Sequence, residues 1–425
     1  MPDKKTITYE SEFIDTLNQL LRSNKKLAGA KYFLDTTYHY FHLNTMKTRR
    51  PKVIVLGNSI PEEYIYAAGK VPFWILGGSL STASWADDLV PRDTDPVSQS
   101  MLGYLMNDKF NLAKEAVIIV PVTCDSTRKI VFLLKRAGYR VITADIPPNK
   151  QEPLALYKWV EQMRRLTEEL SAYTGHTITR QSLLEASKVT DRARRLMREF
   201  LESIKGREHI ISDPLRMVIV NSYYYTENIT KWCGQLQSLI KEIKALPCCY
   251  NASTMRNKPN VLLMGSPVVF PNYKIPFLIQ DIGLRICANA DILTEKIYLE
   301  EVKKTGRKKE DIFQAIAMVH YKGDCSAAYA NNKTLYDRVR YQMKTGNMEG
   351  VVYHVLKGQI EYDFELAHYE ELFSAYGIPV FRLETDYQYQ DVEQIRIRME
   401  AFMEMLVQNQ YSSGRYKSYS KEKRA

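Results

Sequence analysis

Short apolar runs alternate with amphipathic segments along most of this chain, and this alternation predicts its fold. The runs are strand-length, and each is followed by a loop rich in Gly, Pro or polar residues and then by a helical pattern. Alternating strands and helices are typical of parallel sheets covered by helices on both faces. The predicted strands are 52–56, 71–76, 115–122, 139–144, 259–265, 284–288, 350–356 and 378–383.

The strand and helix pattern occurs twice. Strand, Pro-containing loop, helix, Gly and strand occur at 52–76 and again at 260–288, and a similar unit ending in an acidic residue occurs at 116–145 and 350–386. The sequence therefore predicts an α/β fold with two doubly wound domains, Rossmann- or flavodoxin-like, that face each other across one crevice. The alternative is that any two strand–helix–strand units look alike at this level of detail.

The same pattern gives a domain organisation. We predict N-terminal helices at 1–50, a first α/β domain at 51–150, a helical segment at 151–255, a second α/β domain at 256–410 and a flexible basic tail at 411–425. In open α/β sheets, ligands bind at the carboxyl ends of the strands. The loops after the predicted strands are therefore where functional residues are expected.

Composition narrows the class of protein. A chain of 425 residues with 45% hydrophobic and 25% charged residues is typical of a folded globular protein of two or three domains. No apolar run is long enough to cross a membrane, and the N-terminus lacks an apolar signal region, so we expect a cytoplasmic protein without a membrane partner. The net charge of +10 is spread through helices that also carry acids, which disfavours nucleic acid and suits a coenzyme bearing several phosphates.

Several residues in the predicted loops could support chemistry. Glu62 and Glu63 could act as acid and base, or could simply start a helix, and His354 could be catalytic or a core histidine. Cys124, one of six cysteines without zinc-finger spacing, follows a strand and precedes a helix, where a thiol ionises more easily. A cysteine hydrolase built on Cys124 is one alternative. The candidates for binding a cofactor, including phosphate-binding lysines, are Asn58, Ser59, Ser126, Lys274, Lys357 and Gly358.

Five stretches carry a resemblance to a known family: IPEEYIYAAGKVPFWILGG (60–78), PRDTDPVSQSMLGYL (91–105), CDSTRKIVFLLKRAGYRV (124–141), GSPVVFPNYKIPFLIQDIG (265–283) and GVVYHVLKGQIEYDFELAHYEELFSAYGIPVFRLETDY (350–387). They resemble subunits of 2-hydroxyacyl-CoA dehydratases and benzoyl-CoA reductases. The phrase KGQIEYDFE looks closest to the B-like chain of a benzoyl-CoA reductase.

The resemblance implies a cofactor and partners. It implies a subunit of a heterodimeric acyl-CoA enzyme with a [4Fe–4S] cluster held by three cysteines, and a separate ATP-hydrolysing iron–sulfur activator that supplies a low-potential electron. It also implies either radical dehydration of a 2-hydroxyacyl-CoA or reduction of an aromatic acyl-CoA.

The chain departs from the family at the metal ligands. The resemblance places cysteines at three positions, and here these hold Asp95, Cys124 and Gln359. One thiolate, one carboxylate and one amide suit iron sulfide poorly. We therefore expect that a paralogous subunit with all three cysteines carries the active cluster, or that this chain holds an unusual cluster. The further alternative is a scaffold or regulatory chain of the same fold that has lost its cluster.

Overall fold

The computed structural model describes residues 8–23, 27–42, 53–91, 93–107, 115–248, 258–326, 329–345 and 347–412. Two helices come first, as predicted. The elements of the first half are α1 (Tyr9–Ser23), α2 (Lys31–Phe41), β1 (Val53–Leu56), α3 (Glu62–Ala67), β2 (Pro72–Ile75), α4 (Leu80–Ser84), α5 (Pro96–Met106), β3 (Val117–Val122), α6 (Asp125–Arg136) and β4 (Arg140–Asp145).

The helical middle and the second half follow. The helices of the middle segment are α7 (Ala155–Thr174), α8 (Arg180–Ile204), α9 (Asp213–Asn221) and α10 (Ile229–Ala245). The remaining elements are β5 (Asn260–Gly265), α11 (Lys274–Asp281), β6 (Arg285–Ala290), α12 (Glu295–Tyr298), α13 (Lys309–Gly323), α14 (Lys333–Thr345), β7 (Gly350–Leu356), α15 (Ile360–Ala375), β8 (Val380–Thr385) and α16 (Val392–Ser412). Residues 413–425, most of the predicted flexible tail, lie outside the described range.

The two sheets have the same topology. Each has four parallel strands, ordered β2-β1-β3-β4 in the first sheet and β6-β5-β7-β8 in the second. The central strands β1, β3 and β7 are buried along their whole length, which explains why they read as continuous apolar runs in the sequence. The prediction of an α/β fold with two doubly wound sheets is confirmed.

One large hydrophobic core joins the parts of the chain. It contains Tyr9 from α1, Val53 from β1, Trp159 from α7, Val261 from β5 and Leu406 from α16. Because this core spans all four predicted units that precede the tail, the domain bounds proposed above stay predictions.

The second sheet divides its side chains between two cores. Along β5, Val261 and Leu263 belong to the large core, whereas Leu262 and Met264 belong to a smaller core built with α14 and α15. This alternation follows from the period of two along a strand. It leaves the carboxyl ends of the central strands, β1 and β3 in one sheet and β5 and β7 in the other, free to contribute loops to a shared crevice.

A candidate active site between the two sheets

A cavity of about 100 Å³ lies where the carboxyl ends of the two sheets meet. We call it the inter-sheet cavity. The polar residues that line it are Asn58, Ser59, Asp95, Ser98, Thr123, Cys124, Thr127, Ser326, Gln359 and Glu361. Its apolar walls are Leu56, Leu76, Val97, Met101, Pro121, Pro267, Val269, Ile292 and Leu293, with Gly57 and Tyr362 completing the lining. The three positions at which the resemblance places cluster ligands therefore share one cavity.

Asp95 is buried and already has two partners. It is the N-cap of α5, and its Oδ1 accepts a hydrogen bond from the Ser98 backbone N–H at 2.9 Å. The same oxygen accepts a hydrogen bond from Gln359 Nε2 at 3.3 Å. A carboxylate at an N-cap satisfies backbone donors that would otherwise be unpaired. Asp95 thus orders the start of α5 and also ties the first half of the chain to the second.

Gln359 brings a free acceptor to the cavity. The residue is only 8% exposed, and its Oε1 has no hydrogen-bond partner among the described residues. A buried amide oxygen without a partner is costly, so it is a natural place for a ligand's N–H or O–H.

Gly358 allows the two loops to approach each other. Its φ of +83° is a conformation that residues with side chains rarely adopt. A Cβ atom there would lie 2.8 Å from the Asp93 carbonyl oxygen and 3.1 Å from the Asp95 backbone nitrogen. The predicted binding residue Gly358 therefore acts through its backbone, by letting the loop after β7 contact the loop before α5.

Cys124 is the N-cap of α6, directly after β3. Its backbone N–H donates to Thr127 Oγ1 at 3.1 Å, and Thr127 Oγ1 donates back to the Cys124 carbonyl oxygen at 2.8 Å. Burial raises the pKa of the Cys124 thiol, and the nearby carboxylates of Asp95 and Glu361 raise it further. The helix N-terminus favours a thiolate, but burial and the two carboxylates outweigh it.

These residues do not fit an iron–sulfur cluster. Cys124 is the one thiol among the described residues that line the inter-sheet cavity. Asp95 is already a helix cap, and Gln359 offers a neutral amide oxygen. Soft iron sulfide is held by three or four thiolates, so this set provides too few.

Asn58 links the loop after β1 to the second half of the chain. Its Nδ2 donates to the Ile292 carbonyl oxygen at 2.6 Å and to Glu295 Oε1 at 3.2 Å. Ser59 beside it is also buried and lines the cavity. Both predicted residues are therefore where a ligand of the cavity would meet them.

Glu62 and Glu63 point elsewhere. Both are fully buried and contact Arg194 of α8, at 3.0 Å for Glu62 Oε1 and 2.5 Å for Glu63 Oε1. Glu62 also pairs with Lys296 Nζ at 2.6 Å, and Glu63 with His320 Nε2 at 2.9 Å. We call these five residues the buried ion network. Burial by itself would raise the pKa of both carboxyls, but the cations outweigh it, and the pKa of Glu63 lies well below its ordinary range.

The buried ion network contains a group of possible metal ligands. Ligand atoms of Glu62, Glu63 and His320 lie within 4.8 Å of one another. The carboxylates already face the charges of Arg194 and Lys296, so a cation there would meet strong repulsion. We assign this group no metal.

The remaining predicted residues lie outside the cavity lining. Buried His354 in β7 donates from Nδ1 to the Ser266 carbonyl oxygen at 3.2 Å, and burial lowers its pKa to about 4. Lys274 pairs with Asp391 at 2.8 Å, and the more exposed Lys357 pairs with Asp386 at 2.9 Å. The structure does not bring these three residues or Ser126 into the lining, and catalysis by His354, Glu62 or Glu63 stays a prediction.

Sequence reasoning missed part of the lining. Glu361 stands in the first turn of α15, two residues after Gln359, and burial raises the pKa of its carboxyl. Ile292, Leu293 and Ser326 reach the cavity from loops without any recognised motif. The position of Glu361 just after a strand end was the available signal, whereas nothing in the sequence marked the other three.

Comparison with known proteins identifies the family. The family model "2-hydroxyglutaryl-CoA dehydratase, D-component" matches residues 58–406, and the chain belongs to this family. The chain is 24% identical over 357 residues to the Escherichia coli K12 protein YjiM, a match covering 82% of the chain and 89% of that protein. It is 22% identical to the (R)-phenyllactyl-CoA dehydratase beta subunit of Clostridium sporogenes, covering 81% and 89%. It is also 22% identical to a benzoyl-CoA reductase subunit of Thauera aromatica, covering 69% and 75%.

The comparisons confirm the predicted family and the class of enzyme subunit. Dehydratase and reductase subunits both occur among the relatives, so the choice between these two reactions stays a prediction. Among the described residues, none of the helices combines the length and apolar character needed to cross a membrane.

Proposed function

We propose that this chain is the non-redox subunit of a heteromeric acyl-CoA enzyme. It forms the inter-sheet cavity for the acyl end of a CoA thioester, and a paralogous subunit with three cysteines carries the [4Fe–4S] cluster. An ATP-hydrolysing activator would deliver electrons to that partner. The observation that carries the proposal is the convergence of Asp95, Cys124 and Gln359 on one cavity whose described lining offers a single thiol.

The cavity suits the acyl part of a substrate. Its walls are mainly apolar, and its polar groups are few and gathered on the loops at the strand ends. The free Oε1 of Gln359 can accept a hydrogen bond from a substrate hydroxyl group, and Asn58 is fixed beside it by the Ile292 carbonyl oxygen. The chain would thus contribute binding and orientation, while the electron chemistry takes place on the partner.

An anaerobic preparation tests the division of labour. The chain is expressed alone and together with its paralogue, and iron and acid-labile sulfide are measured in both samples. We expect iron in the complex and less than one iron per isolated chain. About four irons on the isolated chain, lost in Cys124→Ala, would overturn the proposal.

A scaffold subunit of the same fold is the second candidate, and one observation favours it. Asp95 and Gln359 already satisfy each other, so the former cluster positions have acquired a structural contact. Filling the cavity with Val97→Trp separates the two candidates. If the cavity binds substrate, the assembled complex loses at least 100-fold in turnover of 2-hydroxyacyl-CoA or aromatic acyl-CoA. If the chain is a scaffold, turnover is unchanged. Tyr157→Trp, at a residue 64% exposed on α7, is the control.

A further inference from the structure

A second, larger cavity lies along the outer edge of the second sheet, beside β6. Its volume is about 670 Å³, within the range of pockets that hold small molecules. Residues of α8, α9, β6 and α14 line it. We call it the β6 cavity, and none of the functions discussed above uses it.

The charge of the β6 cavity is positive. Five of its lining residues are cationic, namely Arg198, Lys205, Arg216, Arg285 and Arg338, and three are acidic, namely Glu202, Glu208 and Asp291. Three of the cations have carboxylate partners: Lys205 pairs with Glu202 at 2.6 Å, Arg285 with Glu208 at 3.4 Å and Arg216 with Asp213 at 3.4 Å.

Arg198 and Arg338 remain without an ion pair among the described residues. Arg198 Nη1 donates only to the carbonyl oxygens of Ile297 and Leu299, at 2.7 and 3.3 Å. Arg338 lies 4.4 Å from the centre of the Tyr298 ring and donates to Cys325 Sγ at 3.5 Å. Burying guanidinium groups without a counter-ion is costly, and phosphate is the anion whose geometry they match best.

The cavity also carries features that suit a flat heterocycle. The Tyr341 ring is 67% exposed and borders the cavity, so one face is open to stacking. Two amide oxygens of lining residues, Asn260 Oδ1 and Gln342 Oε1, are buried and have no hydrogen-bond partner among the described residues. Such oxygens need N–H donors, which the amino groups of nucleobases supply.

From these observations we infer that the β6 cavity is a binding site for a nucleotide, with its phosphates on Arg198 and Arg338 and its base against Tyr341. The site is distinct from the inter-sheet cavity. The 3₁₀ turn Ile292–Thr294 separates the two, because Ile292 and Leu293 line one cavity while Asp291 and Thr294 line the other. The inference does not depend on the proposed acyl-CoA function.

Calorimetric titration of the full chain with ADP tests the inference. We expect one ADP bound per chain and at least tenfold weaker binding of inorganic pyrophosphate, which has no base. Arg198→Gln and Arg338→Gln should each weaken ADP binding at least tenfold. The matched controls are Arg195→Gln on α8 and Arg340→Gln on α14, two exposed arginines outside the lining, and these should change it less than twofold.

Further variants keep the test decisive. If either glutamine variant fails to fold, Arg198→Lys and Arg338→Lys retain the charge but lose the planar fork, and we expect intermediate weakening. Gln342→Leu should weaken ADP at least fivefold and leave pyrophosphate unchanged. Titration with coenzyme A separates the two sources of the nucleotide. Tenfold tighter binding than ADP indicates the coenzyme's own nucleotide, and weaker binding indicates a free nucleotide.

Two results would overturn the inference. One is the absence of measurable binding of both ADP and coenzyme A. The other is ADP binding that is unchanged in Arg198→Gln and Arg338→Gln, or matched by pyrophosphate, because neither is compatible with a site built from these arginines and Tyr341.

Discussion

Gln359 Nε2 lies 3.3 Å from Asp95 Oδ1, so an amide that follows β7 donates a hydrogen bond to a carboxylate that caps α5. The two residues are 264 positions apart in the sequence and belong to opposite halves of the chain. Two positions at which related chains are expected to hold cluster ligands are thus joined directly to each other. Together with Cys124 they form one side of a cavity that is compact enough for three ligands to act together.

This proximity predicts that a cluster site can be restored. In the double variant Asp95→Cys and Gln359→Cys, three thiols would face the inter-sheet cavity, and three thiolates are enough for a [4Fe–4S] cluster with one open iron. We expect anaerobic reconstitution to give about four irons per chain and a charge-transfer absorption band, against less than one iron for the wild type.

The matched control is Asp95→Ser with Gln359→Ser, which keeps the side chains small but adds no thiol. We expect it to bind no cluster, and adding Cys124→Ala to the double-cysteine variant should abolish binding. If the double-cysteine variant folds but takes up no iron, the three positions are not arranged as a ligand set.

The reactivity of Cys124 provides a second prediction. Burial and the carboxylates of Asp95 and Glu361 raise the pKa of its thiol above the ordinary value of 9.0. Since the thiolate is the reactive form, the rate of alkylation by iodoacetamide should be low at pH 7.5 and should rise only above pH 9. Asp95→Asn removes one negative charge and should shift this rise to lower pH.

Peptide mass spectrometry can follow each cysteine separately. Cys248 is exposed and serves as the internal control, and we expect it to be alkylated at least tenfold faster than Cys124 at pH 7.5. Faster alkylation of Cys124 than of Cys248 would contradict this prediction and would revive the interpretation of Cys124 as a nucleophile.

The sequence allowed the fold to be predicted because its central strands are buried on both faces. Runs such as Val53–Leu56 and Gly350–Leu356 are continuous and bounded by turn residues, so periodicity and punctuation locate them. Spacing alone could not show that Asp95, Cys124 and Gln359 meet. That prediction depended on resemblance to a family and on the rule that ligands bind at strand ends.

The environment of Glu62 and Glu63 could not be predicted from local sequence. The first helical turn of α3 carries both carboxylates, as the sequence indicated, but the cations that pair with them are distant in the chain. Arg194 is 131 residues from Glu63, and Lys296 is 234 residues from Glu62. Likewise Phe364, predicted as part of the apolar face of α15, is 74% exposed, because the core takes Leu366, Tyr369, Leu372 and Phe373 instead.

The buried ion network gives a third prediction, which concerns stability. Arg194→Met leaves Glu62 and Glu63 buried with one cation fewer, and removing one partner of a buried pair costs about 3–5 kcal/mol. We expect urea unfolding at pH 7 to show a loss of this size. Arg195→Met, which breaks only an exposed pair with Glu301, should cost about 1 kcal/mol or less.

The pH dependence of this loss follows from the pKa shifts. The pKa values of Glu62 and Glu63 lie below the ordinary value of 4.5 in the folded chain. Their contribution to stability is therefore complete above pH 4.5 and is lost as the pH falls through the lowered pKa values. In Arg194→Met the stranded carboxyls gain by protonation, so the gap to the wild type should narrow below pH 4.5. A gap of constant size would contradict the role given to Arg194.

The fourth prediction concerns Asp291, a residue whose shift has the opposite sign. Asp291 is buried at the start of the 3₁₀ turn between the two cavities, where its Oδ1 accepts a hydrogen bond from the Thr294 backbone N–H at 3.2 Å. Burial raises the pKa of its carboxyl from 3.8 to about 6. For a carboxyl whose folded pKa is raised, the stabilising contribution is complete below pH 3.8 and is lost as the pH rises through about 6.

Asp291→Asn keeps the acceptor oxygen but cannot ionise. At pH 8 we therefore expect the variant to be more stable than the wild type, with a gain of about 3 kcal/mol at most, since one pKa unit corresponds to about 1.4 kcal/mol. The gain should shrink between pH 7 and pH 5. Asp145→Asn, at an exposed carboxylate that ends β4, should change the free energy of unfolding by less than about 0.5 kcal/mol at either pH. If Asp291→Asn instead destabilises the chain at pH 8, the charged carboxylate has a favourable partner in solution, and a cation bound in the β6 cavity would be the first to seek.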